Sequence, residues 1–186
     1  MITLIGMLGF TTTPTQVEVK KVDTTQSTII WKGYKVLGSH AGTIKIKEGG
    51  LDFDKGVLTG GKFTIDMTSI DVTDLEAGQG KEKLAGHLNS PDFFSTQEFP
   101  TATFVITKVT SRGKADDYKV KGDLTIKGIT KNISFNAIAN EAKATADFQI
   151  DRTDFNVQYG SGTFFEKLGD NTIYDEFDLS LNLVLK

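Results

Sequence analysis

Residues 101–109, TATFVITKV, and 118–128, YKVKGDLTIKG, flank a polar, glycine-containing break, SRGKADD. In the first run Ala102, Phe104 and Ile106 fall on one face. In the second, Tyr118, Val120, Leu124 and Ile126 alternate with Lys119, Lys121, Asp123 and Thr125. A period of two puts apolar side chains on one side of an extended chain and polar ones on the other, the pattern of a half-buried antiparallel strand. The same alternation recurs in IIWKGYK (29–35), TIKIKEG (43–49), KFTIDM (62–67), NISFNAI (132–138), ATADFQID (144–151) and EFDLSLNLVL (176–185). LDFD and VLT suggest a further short hairpin between the second and third of these eight runs in chain order, and EGG, DKG, TGG and KGITKN supply turn signals. Eight or nine strands at short spacing predict an all-β fold, a sandwich or a closed barrel.

One segment breaks the pattern. GKEKLAGHLNS (80–90) carries helix-forming residues, with Leu84 and Leu88 four apart and Pro91 just beyond, so a single short helix is expected there. It is followed by DFFSTQEFPTATF (92–104), with four phenylalanines in thirteen residues. No single period accounts for all four. The stretch reads as a loop between helix and sheet whose aromatic side chains pack on one open end of the barrel.

Composition removes several function classes. The 186-residue chain has ordinary globular content and a net charge of −3 with acids and bases interspersed. A surface that tracks nucleic-acid phosphates is basic, so no nucleic-acid partner is expected. The chain has no cysteine, which removes disulfides, thiol catalysis and thiolate metal sites. His40 and His87 are the two histidines, and neither stands in a metal-ligand spacing. GVLTGGKF (56–63) approaches a phosphate-binding loop, but Phe63 occupies the hydroxyl position and a strand follows instead of a helix. His87, Ser90 and Asp92 have the residue types of a catalytic triad but crowd onto one helix end, whereas such triads gather from separate segments. No catalytic residue and no metal are expected.

The first ten residues, MITLIGMLGF, are apolar but too short to span a bilayer, and TTTPTQ follows as a polar linker. Residues 1–18 read as a leader, the remnant of an export signal or a poorly ordered segment. The folded domain is expected over 19–186. On this reading the protein is periplasmic or secreted, with no transmembrane segment.

An eight-stranded antiparallel barrel has an interior just wide enough to be packed or to hold one small ligand. Alternation assigns Trp31, Ile44, Ile46, Phe63, Ile65, Phe104, Ile106, Leu124, Ile126, Phe135, Phe148, Phe177 and Leu179 to that interior. Taken singly, each reads as core. As a set, with an aromatic helix–loop insert at one end, they point to a cavity. The alternative is a ligand-free exported stress or interaction module with a packed barrel.

Over residues 22–186 the chain resembles the YceI-like family of bacterial, lipocalin-like, polyisoprenoid-binding proteins. The segments that carry the resemblance occur in the family's order: VDTTQSTIIWKG, GSHAGTIKIKEG, TGGKFTIDMTSI, HLNSPDFFSTQEFPTATF, GDLTIKGITKNISF and DRTDFNV. Asn156 stands where the family often has Gly, and Asn132 where Pro is frequent. The resemblance implies an eight-stranded lipocalin-like β-barrel enclosing a long isoprenoid tail, of a quinone or a polyprenyl lipid. It also implies no catalysis, no required cofactor beyond that bound lipid, and frequent homodimerisation. The ligand-binding residues it implies here are Trp31, Ile44, Phe63, Ile65, Phe94, Phe104, Ile106, Leu124, Ile126, Phe135, Phe148, Phe177 and Leu179, with Phe94 and Phe104 leading. Arg152 and Asp66 read as structural charges, and are candidates to pair with each other.

Overall fold

The computed structural model describes residues 17–186. Nine strands and one helix follow in order: β1 Val17–Lys21, β2 Thr28–Lys35, β3 Gly38–Asp54, β4 Val57–Val72, α1 Lys81–Asn89, β5 Thr101–Ser111, β6 Asp117–Ile126, β7 Ile129–Ala139, β8 Lys143–Asp151 and β9 Ile173–Val184. Most of the leader expected over 1–18 lies outside the described residues, and β1 opens at Val17.

Strands β2 to β9 close into an eight-stranded antiparallel barrel. Each of β3 to β8 pairs with its successor in sequence, and β9 pairs with β2 to complete the ring. The ring closes because β3 is long enough for two partners on one edge. Its first half pairs with β2 (Ile29↔Ile44 to Lys35↔Gly38) and its second half with β1 (Val17↔Asp54 to Lys21↔Gly50). The β2–β3 hairpin tip lies at one end, here called the top, with α1; the β3–β4 hairpin tip lies at the bottom.

The expected short hairpin of LDFD and VLT is instead the bottom of one long hairpin, β3–β4, whose turn is Lys55–Gly56. Both turn residues take the left-handed conformation, with φ of 50° and 80°, as a two-residue hairpin of this twist requires. Lys127–Gly128 repeats the device between β6 and β7, with φ of 49° and 73°.

Two of the turn signals are not turns. EGG and TGG lie at adjacent register positions inside β3 and β4, where Gly49 pairs with Phe63, Gly50 with Lys62, Leu51 with Gly61 and Asp52 with Gly60. Here β3 changes partner, and backbones approach too closely for side chains. A Cβ on Gly50 would sit 2.9 Å from the carbonyl oxygen of Lys20, and one on Gly61 would sit 2.7 Å from that of Gly50.

Apolar residues fill the bottom of the barrel. Val22, Phe53, Tyr118 and Leu185 are buried there with Leu51, Leu58 and Val120. A second cluster under the top includes Met67, Val72, Leu88, Phe93, Phe155 and Val157. Strands β7 and β8 pair at Ile138↔Thr145 and Ala139↔Ala144, near the bottom. Higher up, Phe135 and Phe148 stack with centroids 4.1 Å apart and planes 7° from parallel, joining the two strands through side chains.

Gly42 is the clearest test of closure. It pairs with both Trp31 and Val72, and a Cβ there would overlap the Asp71 carbonyl and lie 2.6 Å from the Trp31 ring. Gly33 has open space around the same position. Gly42→Ala should lose about 3 kcal/mol through overpacking, and Gly33→Ala should stay within about 0.5 kcal/mol of wild type, by denaturant unfolding. Equal effects would contradict this account of closure.

Candidate functional site

The barrel encloses a cavity of about 270 Å³ running from the top toward the bottom. All thirteen residues assigned to ligand contact from the sequence line it: Trp31, Ile44, Phe63, Ile65, Phe94, Phe104, Ile106, Leu124, Ile126, Phe135, Phe148, Phe177 and Leu179. The strand period explains why they converge, because side chains two apart on a strand share a face. Ile46, assigned to the interior alone, lines it too.

Polar side chains in the lining concentrate at the top. Tyr34 and Lys35 end β2, His40 starts β3, His87 comes from α1, Arg152 follows β8 and Tyr174 starts β9. Deeper, the wall is apolar apart from Thr145 and one buried donor: Trp31 Nε1 has no hydrogen-bond partner among the described residues. It is a donor with no acceptor in an apolar wall.

Helix α1 and the DFF loop cover the top. Ser90 closes the helix, its hydroxyl donating to the His87 carbonyl oxygen at 2.8 Å, and its extended backbone leads into Pro91. This fixes the role of Ser90 as a helix end. The amides of Phe94 and Thr96 donate back to the carbonyls of Leu88 and Asn89. Phe93 is thereby buried, with its ring edge-on to His87 and to Phe94. His87 also meets Tyr159 edge-on, with ring centroids 4.3 Å apart.

Two cations hold this cover by donating to backbone carbonyls. Arg152 donates to Val157 O at 2.7 Å, to Ile173 O and Tyr174 O at 3.1 Å, and to Asp175 Oδ1 at 3.3 Å; its guanidinium also lies over the Phe93 ring. Burial pushes its pKa down, and Asp175 and Asp151 act in the opposite direction. Lys127 Nζ donates to Phe93 O at 2.8 Å and to Asn156 O at 3.3 Å. The expected pairing of Arg152 with Asp66 does not occur. Asp66 instead receives the Thr68 amide and hydroxyl at 3.0 and 2.6 Å, within its own strand. Asn156 has φ of 58°, the left-handed conformation of a residue in a tight turn.

Sequence reasoning did not assign Phe93, His87, Tyr174, Leu84 or Leu88 to the cavity wall. Leu84, His87 and Leu88 share one face of α1 at spacings of three and four, a signal present in the sequence. Phe93 lies in a loop, where no period tells which way a side chain points. Among the described residues, no group of three His, Cys, Asp or Glu side chains could hold a metal ion, and no helix is long and apolar enough to cross a membrane.

A closed antiparallel barrel around an apolar cavity, roofed by a short helix and an aromatic loop, is a lipocalin-type architecture. The YceI-like domain model matches residues 21–185, and the chain belongs to that family. Protein YceI of Escherichia coli is 32% identical over 133 residues, which is 65% of this chain and 65% of that protein. The chain thus spans somewhat less than two thirds of the length of that relative. The UPF0312 protein plu2095 of Photorhabdus laumondii is 36% identical over 98 residues, 52% of this chain and 46% of that one. Among solved structures, Burkholderia cenocepacia BcnA superposes with a TM-score of 0.70 at 25% identity, over 89% of this chain and 99% of that one. A polyisoprenoid binding domain from Saccharophagus degradans, implicated in plant cell wall breakdown, gives 0.64 at 15% identity, over 92% and 99%. The second likeness concerns the fold alone.

Two predictions test the polar end. Arg152→Met leaves three carbonyls and Asp175 without their donor, and should cost about 3–5 kcal/mol in denaturant unfolding. A stability change under about 0.5 kcal/mol, the size of an ordinary surface substitution, would contradict the anchoring role.

Asp178 accepts a short hydrogen bond from Tyr34 Oη and a second from Gln149 Nε2 at 2.8 Å. These bonds, Tyr34 first, hold its carboxyl below the usual carboxylate range, while burial opposes them. Its contribution to stability is therefore fully present above the unfolded pKa of about 3.9 and is lost as pH falls through the lower folded value. Tyr34→Phe should shrink that acid-side loss. A pH–stability profile superimposable on wild type would contradict the assignment.

Proposed function

We propose that the protein binds one long-chain isoprenoid lipid, of the quinone or polyprenyl type, inside the barrel and carries or stores it without catalysis. The observation that supports this reading is the continuous apolar wall, which runs from a polar top to a sealed bottom and is lined by aromatic and branched side chains. Such a wall suits a methyl-branched hydrocarbon tail. The polar ring of Tyr34, His40, His87 and Tyr174 suits a headgroup at the top. The unpartnered Trp31 Nε1 favours a ligand with a hydrogen-bond acceptor, such as a quinone carbonyl, over a bare hydrocarbon. The Saccharophagus structure is that of a polyisoprenoid binding domain, and the same class of ligand suits this wall. Export to the periplasm or the exterior completes the proposal, on the strength of the apolar residues 1–10.

Magnitudes limit what the cavity can select. Each buried methylene is worth about 0.8 kcal/mol, so a tail of about forty carbons would nominally give about 30 kcal/mol. Noncovalent affinities level off near about 20 kcal/mol, so ordering and desolvation must absorb the difference. Affinity alone then discriminates poorly between chain lengths, and cavity depth and the polar top must supply selectivity.

Trp31 is the single tryptophan of the chain and lies in the wall, so its fluorescence reports occupancy. Titrating delipidated protein with a detergent-dispersed isoprenoid quinone should quench Trp31 saturably, at one equivalent. An unchanged signal, with no lipid retained after gel filtration, would favour the ligand-free module. Phe104 separates the two readings from the side of stability. Phe104→Ala in a filled core costs about 3–5 kcal/mol. Beside open volume it should cost the apo protein about 1–2 kcal/mol, the transfer contribution alone. Phe104→Trp should shorten the usable cavity and shift binding toward shorter isoprenoids.

A further inference from the structure

Around the cavity's top stands a group of exposed apolar and aromatic side chains that, apart from Tyr174, do not line the cavity. Leu37 and Val36, at the β2–β3 tip, are 68% and 45% exposed. Tyr159, Phe164, Phe165 and Tyr174 are 46–50% exposed. Backbone bonds place these segments side by side. Lys35 pairs with Ile173, the Val36 amide donates to Thr172 O, and Ile173 bridges Ser161. The amides of Phe164 and Phe165 both donate to Ser161 O, so the two rings follow directly on that bridge. Tyr159 continues the group to His87 on α1.

We infer that this collar docks on the surface of a lipid bilayer, holding the cavity mouth against the membrane from which the ligand is drawn. The inference rests on the carrier reading above. Three observations select a bilayer as the occupant. The collar is continuous with the cavity, since Lys35, Tyr174 and His87 line its mouth, so whatever covers the collar faces the cavity directly. A long isoprenoid is held in bilayers and not in water, so a carrier has to meet that surface. The collar also combines aromatic and aliphatic side chains with Lys35 and Lys167, and this composition suits the interface between headgroups and acyl chains. Glu166 and Asp170 balance the two lysines in formal charge, which matches a zwitterionic surface and predicts weak salt dependence. The β1 strand starts at Val17, paired with Asp54 at the end opposite the collar.

The test uses the full chain and phosphatidylcholine vesicles, alone and doped with an isoprenoid quinone. Leu37→Asp combined with Phe165→Asp should weaken vesicle co-flotation at least about tenfold, because each charge must enter an apolar interface. Val57→Asp, at an equally exposed position at the bottom, should leave it unchanged. The collar variant should still load quinone from detergent, read by Trp31 quenching, while transfer from vesicles falls with docking. If the collar variant floats like wild type, docking there is overturned and the carrier reading stands. If wild type loads nothing from detergent, the carrier reading fails first. If light scattering shows a dimer that the collar variant splits into monomers, the collar is an interface between copies of the chain, and the membrane inference is overturned. Strong loss of wild-type flotation at high salt would likewise overturn it in favour of electrostatic attachment.

Discussion

Closure of the sheet is the constraint on which the rest of this structure depends. An open eight-stranded sheet would present two edges of unpaired backbone groups and one solvated apolar face. Here the pairing of β2 with both β3 and β9 removes the edges and turns that face inward. The closing strand, β3, serves two partners along one edge, and the neighbouring glycines of β3 and β4 make the change of partner sterically possible. Gly42 then admits the Trp31 indole across the β2–β3 seam. Once the ring is closed, the alternation of the strands leaves a channel walled by Phe, Ile and Leu that the side chains do not fill.

The two ends of the channel differ because different physics closes them. At the bottom the seal is apolar packing of Val22, Phe53, Tyr118 and Leu185. At the top, loops and a helix cross the opening, and their backbone carbonyls need donors. Arg152 and Lys127 supply them from buried or half-buried positions, which leaves these cations committed to the scaffold. A headgroup at the top would therefore meet tyrosine and histidine side chains before it met a free buried charge. The cover combines these polar bonds with the apolar packing of Leu88 and Phe93, whereas the bottom is closed by apolar core. Exchange with the surroundings is accordingly expected through the top.

Much of this is legible in the sequence because strands encode direction. Phe63, Phe104, Leu124 and Phe148 can each be assigned inward from neighbours two residues away. Where that encoding lapses, so does the reading. EGG and TGG look like turns because glycine permits turns, but here it permits close backbone approach, which depends on a partner strand remote in sequence. LDFD and VLT look like a separate hairpin because the glycines that flank them, at 49–50 and 60–61, read as breaks in the strands. Phe93 and His87 sit on a loop and a helix, where period two gives no direction. The partners of Arg152 are carbonyls from residues 157 to 174, and no local pattern distinguishes them from Asp66. Membership of the YceI-like family is legible from short motifs in register, since each marks a turn, a strand face or the helix–DFF cover.

The claim that the channel is a lipid compartment is tested most directly by its contents. Protein purified without detergent, extracted with organic solvent and analysed by mass spectrometry should yield one isoprenoid lipid per barrel, bearing a headgroup with a hydrogen-bond acceptor. An extract with no stoichiometric lipid, from protein that also fails to take up isoprenoid quinone, would contradict the account and leave the barrel a ligand-free module.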